Sequence, residues 1–160
     1  MRVFGAVVAT LHFSITERVR VPDHVVWAIL GDFGNEHRWT RTLSYCERDT
    51  VDVRVGTARI CTLPRPLMGR TKVREELTEF APGVALAYVL DGPAGPFLTA
   101  SSRWSTRQGR EGSTWVTVEG RFTPRNWLSR FLVWPLARPM IQRLTRGVVR
   151  ELEAFAQSRC

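Results

Sequence analysis

Two side chains in this sequence have the types and the spacing for proton-transfer chemistry. Residues 71–77 (TKVREEL) read as a β-strand, and a period of two sets Thr71, Val73, Glu75 and Leu77 on one face. Glu75 is therefore a carboxylate on an apolar face. The next extended run, 84–91, follows closely, so the two runs form a hairpin around Ala81-Pro82 that sets Leu77 against Leu86, Val73 against Leu90 and Glu75 against Tyr88. Opposed residues have Cβ atoms about 5 Å apart, which brings a carboxylate and a phenol together on the inner face. A β-bulge in either strand would cancel that pairing. A buried carboxylate is costly unless it is paired or protonated. One reading is structural: a Glu75–Tyr88 hydrogen bond fixes the hairpin, helped by an arginine such as Arg59 or Arg103. The other is catalytic: desolvation favours the protonated carboxyl and suits Glu75 to general acid–base work. Tyr88 would then orient or polarise a carbonyl oxygen. Both readings stay open.

The elements that must position this pair are legible in order. Residues 10–21 form a first strand, rich in β-branched side chains and stopped by Pro22. Asp23 caps a short helix with Val25, Val26, Ile29 and Leu30 as its apolar stripe, and Gly31 lets it end. Asn35 caps one more helical turn within 32–39. Extended runs follow at 43–48, 56–63, 69–80, 84–91, 97–107 and 113–123, separated by Pro and Gly turns. A second hairpin sets Trp104 against Val118 and Ser102 against Gly120, which adds Trp104 to the inner wall. Leu128, Phe131, Leu132, Leu136, Met140, Leu144, Val148, Leu152 and Phe155 then recur at spacings of three and four. They predict a long C-terminal helix over about 136–158, with its stripe against the sheet and a break or kink near Pro135 and Pro139.

Bulk properties narrow the partners. With 160 residues, 44% of them hydrophobic, the chain reads as one domain over 1–160 with a sizeable core. No run approaches the ~18 apolar residues of a membrane span. Residues 3–13 have a single Arg before them and no small-residue cleavage site, so they read as strand-like rather than as a leader, and the apolar stretch 3–9 has no assigned role. Residues 121–160 hold eight Arg and two Glu, which is +6 of the net +8, and Lys72 is the only lysine. That arginine skew points to coding composition rather than to a nucleic-acid surface, so nucleic acid is not expected as a partner. A basic amphipathic helix carrying Trp127 and Trp134 has the make-up for membrane contact, but a helix packed on a sheet with solvated arginines is the preferred reading. Cys46, Cys61 and Cys160 are odd in number and scattered. They predict no disulfide, a reducing compartment and a cytoplasmic protein. His12, His24 and His37 are equally scattered, so no metal site is expected. No Ser-His-Asp order, phosphate-binding loop or dinucleotide fingerprint appears.

The element order, together with VPDHVVWAILGDFGNEHRW (21–39), VREEL (73–77), LAYVLDG (86–92) and WVTVEGRFTP (115–124), resembles the START-like, or Bet v 1-like, superfamily, most closely its polyketide cyclase/dehydrase and lipid-transport branch. The resemblance spans almost the whole chain and implies an α+β helix-grip fold, in which a curved antiparallel sheet wraps a long C-terminal helix and two short helices follow the first strand. It further implies a cavity between sheet and helix that holds a hydrophobic small molecule. Phe33, Trp39 and Tyr45 would line its entrance near His37, with 92–96 (GPAGP) as a stiff loop over the opening. Arg59, Val73, Leu90, Trp104 and Val118 would form the sheet wall, and Met140, Leu144 and Val148 the helix wall. Two function classes follow: a cofactor-free cyclase/dehydratase acting on a polyketide-like chain through Glu75 and Tyr88, and a non-catalytic carrier for a lipid or natural product. The ligand and the oligomeric state are left open.

Overall fold

The computed structural model describes residues 9–67 and 69–160; the apolar segment 3–8 lies outside them. The chain runs β1 (Leu11–Val19), α1 (Asp23–Leu30), a 3-10 turn (Glu36–Arg38), β2 (Tyr45–Arg48), β3 (Ala58–Leu67), β4 (Arg70–Ala81), β5 (Ala85–Leu90), β6 (Phe97–Gln108), β7 (Thr114–Pro124), a π-helical turn (Ser129–Val133) and α2 (Trp134–Gln157). The seven strands form one antiparallel sheet in the order β1-β7-β6-β5-β4-β3-β2. β1 joins the sheet beside the last strand, so the sheet can curl around α2, and the inward residues of both meet in a core that includes Phe13, Val116, Val118, Val149 and Leu152. At Gly120 a Cβ would lie 2.1 Å from Phe13 Cε1, so only glycine lets β1 and β7 pack this closely. Among the described residues, no helix is long and apolar enough to cross a membrane.

β6 and β7 pair Trp104 with Val118 and Ser102 with Gly120, as their alternation predicts. β4 and β5 do not keep the expected register. Their turn spans Pro82 to Val84, closed by Val84 N–H donating to Ala81 O at 2.9 Å, with Gly83 at φ 77°. The register then shifts between Leu77 and Glu79, and Leu77 opposes Tyr88 while Glu75 opposes Leu90. The displacement is two residues, so parity survives: Glu75 and Tyr88 share a face as diagonal neighbours rather than a directly opposed pair.

Two local expectations, both of caps, are corrected. Asp23 is the first residue of α1 and does not cap it; the Pro22 carbonyl accepts the Val25 and Val26 N–H groups at 3.1 and 3.2 Å. Asn35 likewise makes no cap and donates to Asp32 Oδ1 at 2.8 Å. The chain stays helical past both prolines. Pro135 falls in the first turn of α2, directly after the π-helical turn, and Pro139 lies inside the helix.

The apolar stripe of α2 is only partly buried. Trp134, Val149, Leu152 and Ala156 face the core, but Leu136, Met140 and Leu144 are exposed at 78%, 58% and 58%. The sheet grips a helix face turned about a third of a revolution from the 136-140-144 line. Cys46 and Cys61 are opposed on β2 and β3, with Cα atoms 4.1 Å apart, and form a disulfide, while Cys160 is free and exposed. The cysteines are scattered in the chain but adjacent in the sheet. Their bond contradicts the expectation of no disulfide and removes the cysteine argument for a reducing compartment.

Candidate functional site

The inner face of the sheet and one side of α2 do not close completely. They leave a cavity of about 280 Å³, walled by Leu86, Trp104 and Val118 on the sheet, by Ile141, Leu144, Thr145 and Val148 on α2, and by Trp39, Thr40, Thr42 and Leu43 in the segment before β2. Most of this wall is apolar. Its charged part is confined to Glu36, Arg59 and Glu75, with the Tyr88 phenol beside them.

The cluster follows from strand pairing. Arg59 on β3 directly opposes Glu75 on β4, and parity turns both inward. Arg59 Nε donates to Glu75 Oε2 at 2.7 Å, and Nη2 lies 2.6 Å from the same oxygen. Nη1 meets Glu36 Oε1, carried in by the 3-10 turn, and Gly34 N–H donates to the other Glu36 oxygen at 2.9 Å. Gly34 has φ 100°, the left-handed conformation that glycine adopts without cost, and this aims its N–H at the carboxylate two residues on. The guanidinium carbon sits 4.1 Å from the Phe33 ring centroid and 4.7 Å from that of Tyr88. Arg59, only 3% exposed, is thus held by two carboxylates and two ring faces.

These contacts set the protonation states. Burial pushes the Glu36 carboxyl up, against the pull of Arg59 and the backbone N–H groups at its own position and at Gly34. Burial opposes the charge on Arg59, but Glu75 and Glu36 outweigh it and keep the guanidinium protonated beyond the ordinary arginine range. Burial first, and the charge of Glu75 second, push the Tyr88 phenol up, so it remains a hydrogen-bond donor. The lone, desolvated Glu75 of the catalytic expectation is therefore replaced by an ion pair. Both Arg59 contacts fall on Oε2; Oε1 has no hydrogen-bond partner among the described residues.

A family model described as polyketide cyclase/dehydrase and lipid transport matches residues 10–157. The chain belongs to that family. Among solved structures, it is similar to the crystal structure of Ara h 8.0201, a Bet v 1-like protein, with a TM-score of 0.74 at 13% identity over 94% of this chain and 99% of the other. That likeness shows the Bet v 1-like helix-grip fold. No curated protein matches. Membership in the family supports a fold that binds hydrophobic molecules and leaves cyclase and carrier undecided.

Of the residues singled out in the sequence, Glu75, Tyr88, Trp39, Arg59, Trp104, Val118, Leu144 and Val148 line the cavity. Five others do not. Phe33 is fully buried behind Arg59. Tyr45 is 54% exposed on β2 and packs on His37, whose Nδ1 accepts the Cys46 N–H at 3.1 Å. Val73 opposes Cys61 beyond the cavity, and Leu90 is carried past it by the register shift. Met140 faces outward because α2 is turned. The 92–96 loop is tied to itself by Ala94 and Phe97 and lines nothing. Arg103, the other arginine considered, pairs with Glu79 at 2.7 and 3.0 Å, away from the cavity. Glu36 was missed. A Glu in a polar turn reads as solvated, and only the fold brings that turn against β3. Among the described residues there is no group of three or more His, Cys, Asp or Glu placed to hold a metal.

Proposed function

We propose that the protein encloses a hydrophobic, polyketide-like small molecule between α2 and the sheet and orients it by its polar end. The observation that carries this reading is a largely apolar cavity whose charged wall groups lie together, on β3, β4 and the 3-10 turn. Apolar area supplies affinity at roughly 25 cal/mol per Å² buried, and the cluster fixes which end enters first. Native mass spectrometry of gently purified protein, with extraction of the bound species, is the test. A hydrophobic metabolite at one per chain is expected. Protein that is empty and also fails to take up the neutral fluorophore N-phenyl-1-naphthylamine would refute the reading.

A second reading, a cofactor-free cyclase/dehydratase, is favoured by one feature: the free Oε1 of Glu75 and the phenol of Tyr88 share the cavity wall. Glu75 would take a proton from an activated carbon while Tyr88 donates to the carbonyl oxygen, a proton-transfer reaction that needs no redox partner. The Glu75→Gln variant should then lose turnover and keep ligand. If instead the ligand leaves chemically unchanged from the wild type, the protein is a carrier.

A further inference from the structure

We infer that the cavity selects a neutral or cationic amphiphile whose leading end carries a hydrogen-bond donor, such as an alcohol, enol, phenol or amine, and discriminates against carboxylates. This rests on the ligand-binding reading above and names the chemical class that the same cavity takes.

The charge inventory of the wall carries the inference. Among the described residues, the charged side chains lining the cavity are Glu36, Arg59 and Glu75, two potential anions against one cation. Arg59 is the only cation that could receive a ligand carboxylate, and its charge is already shared between two carboxyl groups. Nε and Nη2 lie against Glu75, Nη1 forms an ion pair with Glu36 without a hydrogen bond, and the Phe33 and Tyr88 rings lie 4.1 and 4.7 Å from the guanidinium carbon. An entering carboxylate would meet two carboxyl groups in a low-dielectric space and find no unpaired cation. Acceptor sites are in surplus instead. Glu75 Oε1 has no partner among the described residues, and the Tyr88 phenol can both give and accept one bond. A ligand hydroxyl satisfies both groups at once by donating to Glu75 Oε1 and accepting from the Tyr88 O–H. An ammonium donates likewise and carries a charge opposite to that of Glu75. An ester or ether end leaves Glu75 Oε1 unserved, and a carboxylate sets a second anion beside Glu75.

The test is displacement of N-phenyl-1-naphthylamine by three ligands of equal chain length, dodecan-1-ol, dodecylamine and dodecanoate, below their micelle concentrations at pH 8, where the acid is ionised and the amine is a cation. Half-displacement by the alcohol and the amine is expected at concentrations at least about tenfold below that for dodecanoate. Glu75→Gln removes one anion and releases the Nε and Nη2 donors, so dodecanoate should improve by about tenfold in that variant. If the variant does not fold, the wild-type series decides alone. Dodecanoate equal to or tighter than the alcohol in the wild type overturns the inference and leaves the ligand-binding reading intact. If the fluorophore does not bind and native mass spectrometry finds the protein empty, the ligand-binding reading fails, and the inference falls with it.

Discussion

Replacing Arg59 with methionine keeps a long apolar stem but removes the one cation shared by two buried carboxylates. Arg59 is 3% exposed, and the side chains of Glu36 and Glu75 are 12% and 16% exposed, so water cannot substitute for the lost partner. Breaking a buried pair by deleting one member typically costs 3–5 kcal/mol, and loss of the ring contacts with Phe33 and Tyr88 adds about 1 kcal/mol. The expected loss at pH 7 is therefore about 4–6 kcal/mol, a large part of the 5–15 kcal/mol typical of a domain. In urea, with a slope of about 2 kcal/mol per M, the midpoint should fall by roughly 2–3 M. The pH dependence has a definite sign. Burial already holds the Glu36 carboxyl above the usual carboxylate range in the folded state, so its protonated form is the one the fold favours. A raised carboxyl gives the fold its full stability below the unfolded value and loses it as pH rises through the folded value. Without Arg59 that loss deepens, and the deficit of the variant should shrink markedly between pH 7 and pH 4.5. Urea titrations of wild type and variant at both pH values measure this. A deficit under about 1 kcal/mol at pH 7, or one unchanged at pH 4.5, would refute the buried-cluster reasoning.

Other outcomes follow from burial and register. Leu152→Ala, at a fully buried position on α2, should cost about 2–5 kcal/mol by chemical denaturation, whereas Leu136→Gln, 78% exposed on the same helix, should change stability by less than about 0.5 kcal/mol. Equal costs would mean that the stripe packs as a whole. Gly120→Ala drives a methyl into the Phe13 ring and should cost about 1–3 kcal/mol or more, with a lower melting temperature; a neutral result would refute the close β1–β7 approach. Alkylation of unfolded protein without reductant should label Cys160 alone, and all three cysteines after reduction. Cross-linking positions 15 apart should contribute roughly 3 kcal/mol through loop closure, so reduction should lower the urea midpoint.

Period and punctuation were enough to locate every strand of the sheet, because alternating apolar residues between Pro and Gly turns leave few other ways to bury one face, but the break expected at Pro64 and Pro66 is not there, since β3 runs through both prolines to Leu67. Register was legible only where the turn imposed it. The β6–β7 hairpin pairs as its alternation implies, but in β4–β5 the turn takes in Val84 and an extra residue near Thr78 shifts the ladder. Nothing local in LTEFAPGVAL marks that bulge. Glu75 and Tyr88 still share the cavity because an even displacement preserves the face. The Cys46–Cys61 bond and the Arg59–Glu75 pair were hidden for different reasons: β2 and β3 pair across the long connection 49–57, which carries no hairpin turn, whereas β3 and β4 meet at Leu67 and Arg70 but shift register between Thr62 and Leu67 before Arg59 reaches Glu75. The turned face of α2 was hidden too, since a continuous stripe from Leu128 to Phe155 does not say which part the sheet covers.

Stability alone does not account for the charged cluster. Three well-packed apolar side chains in place of a buried ion triad are often neutral or stabilising by 1–4 kcal/mol, because they avoid the desolvation that the ions must offset with near-complete pairing. Arg59 achieves that pairing, but only by recruiting the 3-10 turn through Glu36 and a glycine-directed N–H. The elaboration sits on the wall of a cavity rather than in the solid core around Leu152 and Val116, where no charges are buried. A triple variant, Glu36→Gln with Arg59→Met and Glu75→Gln, separates the two roles. If the charges serve the fold, it should be markedly less stable than the wild type. If they serve the ligand, it should unfold within about 1–2 kcal/mol of the wild type, still bind N-phenyl-1-naphthylamine, and no longer distinguish dodecan-1-ol from dodecanoate.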